Sequence, residues 1–140
     1  MTRNRMRHAI AILLSIGLIL GLQGCFTVQS TGTFTYRKVP PAVYDSLLRA
    51  GGDHYLIDVR TPGEYNRSHM DAARNYDFFA FHYGEDVDTL DRGTTAFVYC
   101  QTCHRSPFAA RIMKHKGFRC VYDLRGGYAA WQKAYGEITK

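Results

Sequence analysis

Short apolar runs of strand length alternate with amphipathic segments of helix length along most of the chain. The clearest strands are 55–59 and 96–99, which are rich in β-branched and aromatic residues. Runs that are apolar on both faces are typical of strands in a buried parallel sheet. Further strands are predicted at 34–39, 73–76 and 119–122.

Helix signals fall between these strands. Pro41 begins a helix that ends at Gly51 and Gly52, and Thr61 and Pro62 provide the cap and first residue of a short one. Further helical segments are predicted at 78–90, 108–116 and 128–135. Strands that alternate with helices predict a single α/β domain, with a central parallel sheet of about five strands and helices on both faces.

The first 24 residues have the pattern of a bacterial secretory signal. Three arginines precede the uncharged apolar segment 9–22, and Leu22-Gln23-Gly24-Cys25 has the form of a lipoprotein cleavage box. We expect cleavage before Cys25, lipidation of this cysteine, a tether over 25–33 and a domain over 34–140. The mature protein would be anchored to a membrane of the cell envelope, facing the periplasm or the outside. An uncleaved anchor or ordinary secretion is the alternative, although the apolar segment is short for a bilayer span.

The net charge of +6 depends partly on this signal segment. Without its three arginines, 15 basic residues stand against 12 acidic ones. No basic run with interleaved aromatic residues is left, so nucleic acid is not an expected partner.

The candidate catalytic residues come directly after the strand 96–99. Cys100 follows that strand, a loop runs to Arg105, and Ser106-Pro107 is a helix-start signal with Ser106 as the expected N-cap. Loop amides and a helix N-terminus stabilise an anion, and the first anion at this position is the Cys100 thiolate. A buried structural cysteine is the alternative, but the loop and Arg105 favour a reactive one.

Three segments resemble signatures of the rhodanese-like domain family. The segment Cys100–Arg105 resembles its active-site loop, in which the first cysteine carries a persulfide. Asp58-Val59-Arg60, Glu64-Tyr65 and the segment 68–72 resemble its N-terminal signature, and Leu124-Arg125-Gly126-Gly127 with the following Tyr-Ala-Ala-Trp matches its C-terminal one. The resemblance covers about 34–135.

This resemblance implies a sulfurtransferase that needs no metal or organic cofactor. A Cys100 persulfide would carry sulfane sulfur from an anionic, thiosulfate-like donor to a thiol or cyanide acceptor. The loop residues expected to bind substrate are Gln101, Thr102, Cys103, His104 and Arg105, the last through its positive charge. Structural support is expected from the ion pair of Asp58 and Arg60 and from a turn at Gly126 and Gly127. The physiological donor, the acceptor and any protein partner are not defined by the sequence.

Cys103 departs from the family pattern and creates a C-x-x-C with Cys100. A thiol-disulfide oxidoreductase or redox sensor that uses both cysteines is therefore an alternative function. A non-catalytic binding module is another. Phosphatase or arsenate chemistry is disfavoured because the loop is one residue shorter than in the family's phosphatase-like members. Zinc is not expected, since Cys100, Cys103 and Cys120 lack the spacing of a zinc site.

Other residues are predicted to have structural roles. Ser68 and Asp71 replace glycines of the signature, so we expect an altered or strained turn there. Glu64 and His69 are interpreted as structural residues. An aromatic cluster is expected to lie mainly in the core, and any exposed part of it would form an apolar wall that selects an organic thiol acceptor. This cluster comprises Tyr76, Phe78, Phe79, Phe81 and Tyr83.

Overall fold

The computed structural model describes residues 33–136 and confirms the predicted α/β fold. Its five strands pair in parallel throughout, in the order β1-β5-β4-β2-β3. The strands are β1 Thr35–Val39, β2 His54–Asp58, β3 Arg74–Asn75, β4 Thr95–Tyr99 and β5 Cys120–Leu124. The helices are α1 Pro41–Arg49, α2 Pro62–Arg67, α3 Tyr83–Asp88, α4 Ser106–His115 and α5 Gly127–Tyr135.

The predicted signal segment and Cys25 lie outside the described residues. Among the helices within residues 33–136, none combines the length and the apolar character that a bilayer span requires.

Each face of the sheet buries its own apolar cluster, because successive side chains of a strand point to opposite faces. On one face, Val98 and Val121 pack with residues of α3 and α4, such as Val87 and Met113. On the other face, Phe97 and Leu124 pack with residues of α1 and α5, among them Tyr44 and Trp131. The two-sided core explains why β2 and β4 are almost continuously apolar.

The strand order places the candidate loop at the centre of one edge of the sheet. β4 lies between β2 and β5, so Cys100 follows a central strand. The carboxyl ends of β2 and β5 flank it, and they bring Asp58 and the segment after Leu124 to the same edge. Open α/β sheets bind ligands at such an edge.

The aromatic segment between β3 and α3 only partly enters the core. Tyr83 is buried and Phe78 packs against the buried cluster, but Phe79 is 68% exposed and Phe81 is fully exposed. The helix predicted over 78–90 is reduced to α3, and turns precede it. The expectation that these aromatic residues lie mainly in the core is therefore wrong for Phe79 and Phe81.

The strained turn lies one residue away from the predicted position. Ser68 has a φ of −168°, an extended conformation that any residue adopts. Ala72, and not Asp71, has the left-handed conformation, with a φ of 60°. A Cβ atom makes this conformation unfavourable, so the local strain is at Ala72.

Candidate active site

Hydrogen bonds to α5 fix the backbone of the loop that follows Cys100. The carbonyl oxygen of Cys100 accepts a bond from the N–H of Tyr128 at 2.7 Å, and that of Gln101 accepts one from Ala129 at 3.0 Å. At the other end, the carbonyl of Arg105 accepts bonds from the first turn of α4. The carbonyls at the two ends of the loop are thus bonded to the two helices that flank it.

The amide groups of the loop are left available. Within residues 33–136, none of the N–H groups of 101–105 donates a hydrogen bond to another residue. Successive unpaired amides beside a helix N-terminus can bind an anion. The backbone alone therefore provides a site for a negatively charged sulfur species.

Cys100 itself is buried and contacts one hydroxyl group. Its side chain is 1% exposed, and its Sγ lies 3.5 Å from Oγ of the fully buried Ser106. Ser106 is the first residue of α4 rather than its N-cap, a position held by Arg105. The N-cap prediction is wrong because the hydroxyl is directed to the sulfur of Cys100 instead of to the helix backbone. Sequence analysis did not identify Ser106 as a site residue.

Gly127 allows α5 to approach the loop. It has a φ of +63°, and a Cβ atom built on it would lie 2.7 Å from the carbonyl carbon of Gln101 and from the nitrogen of Thr102. Gly126, with a φ of 78°, is the N-cap of α5. The pair thus forms the turn close to the loop that the sequence indicates, and only glycine fits at 127.

Asp58 and Arg60 form a buried ion pair beneath the loop. Arg60 Nη2 lies 2.6 Å from Asp58 Oδ2, and Arg60 also donates to the carbonyl oxygen of Ser68. Its Nη1 donates to Oε1 of Gln101 at 3.0 Å, and its guanidinium stacks on Tyr128. Burial acts to lower the pKa of Arg60, but the bonds to Asp58 outweigh it and raise the pKa. Arg60 therefore stays charged, and it holds the side chain of Gln101.

Arg105 forms a two-point ion pair with Glu64. Its Nη1 and Nη2 lie 2.6 and 2.7 Å from the two carboxylate oxygens. Thr61 and Glu64 form a reciprocal capping box at the start of α2, which holds the carboxylate from the other side. The bonds from Arg105 lower the pKa of Glu64 to about 2, against desolvation and with help from Thr61. Glu64 thus has the structural role expected from the sequence, and it also brings a negative charge to Arg105 of the candidate site.

The other loop side chains are nearer to solvent. Thr102 Oγ1 lies 3.1 Å from Nδ1 of the exposed His104. Cys103 is partly exposed, and the described cysteines are free thiols. Cys120, on β5, is partly buried. Redox use of Cys100 and Cys103 stays an alternative, and the substrate contacts of these side chains stay predictions.

A cleft of about 400 Å³ lies beside the loop. It is lined by residues of α2 and the positions that flank this helix, of the loop and of α5, namely Arg60, Glu64, Arg67, Ser68, Gln101, Tyr128 and Gln132. Near the same loop, the ring of Phe79 lies 5.7 Å from the guanidinium carbon of Arg105. The described residues contain no group of three or more potential metal ligands.

Residues 40–134 match the Rhodanese-like domain family. With the parallel sheet and the cysteine loop, this match shows that the chain belongs to the Rhodanese-like domain family.

Curated relatives include thiosulfate sulfurtransferases. The chain is 35% identical over 106 residues to thiosulfate sulfurtransferase 16 of Arabidopsis thaliana, covering 69% of the chain and 87% of that protein. It is also 35% identical over 95 residues to a probable adenylyltransferase/sulfurtransferase, MoeZ, of Mycobacterium tuberculosis. The matched part covers 68% of the chain but spans only 24% of the length of MoeZ.

Solved structures show the same fold. The crystal structure of the Alr3790 protein from Anabaena sp. has a TM-score of 0.62 at 27% identity, covering 73% of the chain and 79% of that protein. A rhodanese-related protein from Thermoplasma volcanium has a TM-score of 0.64 at 23% identity, with 75% of the chain and all of that protein covered. At 23% identity, the match to the Thermoplasma protein is evidence for the fold alone.

Proposed function

We propose that the protein transfers sulfane sulfur from an anionic donor of the thiosulfate type to a thiol or cyanide, through a persulfide on Cys100. The observation that carries this proposal is the buried Cys100 at the start of a loop whose five following amides are unpaired within the described chain. The relationship to thiosulfate sulfurtransferases supports the same reaction type.

In the first half-reaction, the Cys100 thiolate bonds to the outer sulfur of the donor. The sulfur–sulfur bond of thiosulfate breaks, and its electron pair leaves with sulfite. The negative charge of the persulfide then lies among the loop amides and the N-terminus of α4. Preorganised donors of this kind stabilise charge that develops during a reaction.

In the second half-reaction, the acceptor attacks the terminal sulfur of the persulfide. With a thiolate, a new persulfide forms on the acceptor and the Cys100 thiolate is regenerated. With cyanide, the product is thiocyanate. Electrons and charge balance in both half-reactions, and no further oxidant or reductant takes part.

Turnover of thiosulfate with cyanide tests this proposal. We expect Cys100→Ser to abolish thiocyanate formation, whereas Cys120→Ser, on β5, keeps it because its thiol lies outside the loop. Thiocyanate formation by Cys100→Ser at the parent rate would refute the assignment of Cys100 as the nucleophile.

We further propose that Cys25 is lipidated and holds the protein at a bacterial membrane. The pattern of residues 1–25 supports this location. We expect Cys25→Ala to lose the acyl mass and to leave the detergent phase on partitioning. An unchanged mass and unchanged partitioning would refute the lipid anchor.

A further inference from the structure

Both arginines at the loop already have carboxylate partners. Arg60 is paired with Asp58, and Arg105 directs both terminal nitrogens to Glu64. The positive charge that the sequence assigns to donor binding is therefore balanced by a negative charge at the same place.

Glu64 is fixed in this position. The N–H and Oγ1 of Thr61 donate to the same carboxylate oxygen, at 3.0 and 2.8 Å. The carboxylate cannot turn away from Arg105 without opening the capping box that begins α2. Its lowered pKa also keeps it ionised at any pH near neutrality.

A donor that approaches Arg105 consequently meets a permanent negative charge. Coulomb energy is proportional to the charge of the donor, so Arg105 alone would attract a dianion twice as strongly as a monoanion at the same distance, and the paired charge of Glu64 cancels this advantage. Thiosulfate is a dianion. Thiosulfonates and the persulfides of small thiols carry a single charge on their sulfane sulfur.

The space around the ion pair of Arg105 and Glu64 also has room for an organic group. The cleft beside Glu64 and Gln101 measures about 400 Å³, within the size range of small-molecule sites. Phe79, 68% exposed, adds an apolar surface next to Arg105. Thiosulfate has no organic part that could use either feature.

We propose that Glu64 selects the class of donor, so that the site takes its sulfur from singly charged organic sulfane donors in preference to thiosulfate. This inference rests on the proposed function and specifies its substrate. With a thiosulfonate, the Cys100 thiolate bonds to the sulfane sulfur, the sulfur–sulfur bond breaks, and its electron pair leaves with the sulfinate.

Glu64→Gln tests this proposal without removing the capping box, because glutamine is also accepted at that position. Single-turnover persulfide formation is measured with thiosulfate and with methanethiosulfonate. We expect the second-order rate constant for persulfide formation with thiosulfate to rise about tenfold relative to that with methanethiosulfonate, mainly through tighter binding of thiosulfate, because the variant removes one negative charge from the donor's surroundings. Added salt should reduce the difference between the parent and the variant.

Glu85→Gln is the matched control. Glu85 lies exposed on α3, so the substitution removes one negative charge away from the loop. We expect it to leave the ratio of the two donors unchanged. If Glu64→Gln and Glu85→Gln change the ratio of the rate constants for the two donors equally, the net charge of the protein sets this ratio. That result would overturn the inference.

Three further outcomes separate this inference from the proposed function. If Glu64→Gln changes the rates with both donors by the same factor, or if the parent protein uses thiosulfate more efficiently than methanethiosulfonate, the donor selection is refuted while Cys100 chemistry stands. If the parent forms no persulfide with either donor, the proposed function itself fails.

Discussion

Ser106 is the side chain whose hydroxyl contacts the sulfur of Cys100, at 3.5 Å and in full burial. A hydroxyl in this position can donate to the thiolate and to the persulfide. A hydrogen bond to a charged group is worth about 1.5–3 kcal/mol. Ser106 is therefore expected to contribute to the reactivity of Cys100 without taking part in bond exchange.

We expect Ser106→Ala to slow alkylation of Cys100 by iodoacetamide, and persulfide formation, by about tenfold or more. The rates are followed by mass spectrometry at fixed pH. Ser46→Ala, an exposed position on α1, is the control and should leave both rates unchanged. Equal rates for Ser106→Ala and the parent would show that the hydroxyl has no effect on the thiolate.

Ala72 stores strain in the turn before β3. An alanine at a φ of 60° is less favourable than a glycine by about 1 kcal/mol. We expect Ala72→Gly to raise the free energy of unfolding by up to about 1 kcal/mol, measured by urea titration. Ala134→Gly, in α5, should lower it, because glycine is a poor helix former. A loss of stability in both variants would contradict the assigned strain.

Among the elements, α5 and the loop are linked through Gly127. A methyl group at this position would overlap backbone atoms of Gln101 and Thr102, which no rotamer change relieves. The carbonyls of Cys100 and Gln101 accept their hydrogen bonds from the first turn of α5. Separation of the two segments would thus release the loop backbone.

We expect Gly127→Ala to reduce sulfur transfer by about 10²-fold or more, since small displacements of a positioned group have effects of this size. Gly51→Ala is the matched control: Gly51 also has a positive φ, of +87°, but no atom lies within 4 Å of its Cβ position. The control should lose about 1 kcal/mol of stability and keep its activity. Full activity in Gly127→Ala would contradict the close approach of α5.

α2 and the loop are linked through Glu64 and Arg105. The pKa of Glu64 falls from the usual 4.5 to about 2 in the folded protein. A lowered folded pKa means that the ionised carboxylate stabilises the fold above about pH 4.5, and that this stabilisation is lost as the pH falls toward 2.

We expect the parent to be more stable than Glu64→Gln at neutral pH, by an amount that shrinks below about pH 4.5. Urea titrations of both proteins from pH 2 to pH 7 measure this difference. A difference that does not change with pH would show that the carboxylate is not held by Arg105 in solution.

At the scale of the whole molecule, the order of the strands determines which segments lie next to the loop that follows Cys100. Sequence patterns predicted the parallel sheet and the position of Cys100 at the end of a strand, because burial on both faces leaves continuous apolar runs. The resemblance to the C-terminal family signature also indicated the turn at Gly126 and Gly127. Each of these predictions uses a pattern of residues that are close together in the chain.

Long-range contacts could not be predicted in the same way. Glu64 and Arg105 are 41 residues apart, and nothing in either segment indicates the other as its partner. Ser106 has the local signature of an N-cap, yet tertiary contact with Cys100 determines its role. Phe79 and Phe81 are apolar but exposed, because turns replace the predicted helix there.

Intact-mass measurement of the protein after incubation with a sulfane donor, and again after addition of a thiol, tests the role of Cys100 most directly. We expect the parent to gain one sulfur atom with the donor and to lose it to the thiol, while Cys100→Ser gains none. A loss of two hydrogen atoms in the parent that is absent in Cys103→Ser would instead indicate a disulfide between Cys100 and Cys103. An unchanged mass in the parent, or an equal gain in Cys100→Ser, would contradict sulfur transfer through a Cys100 persulfide.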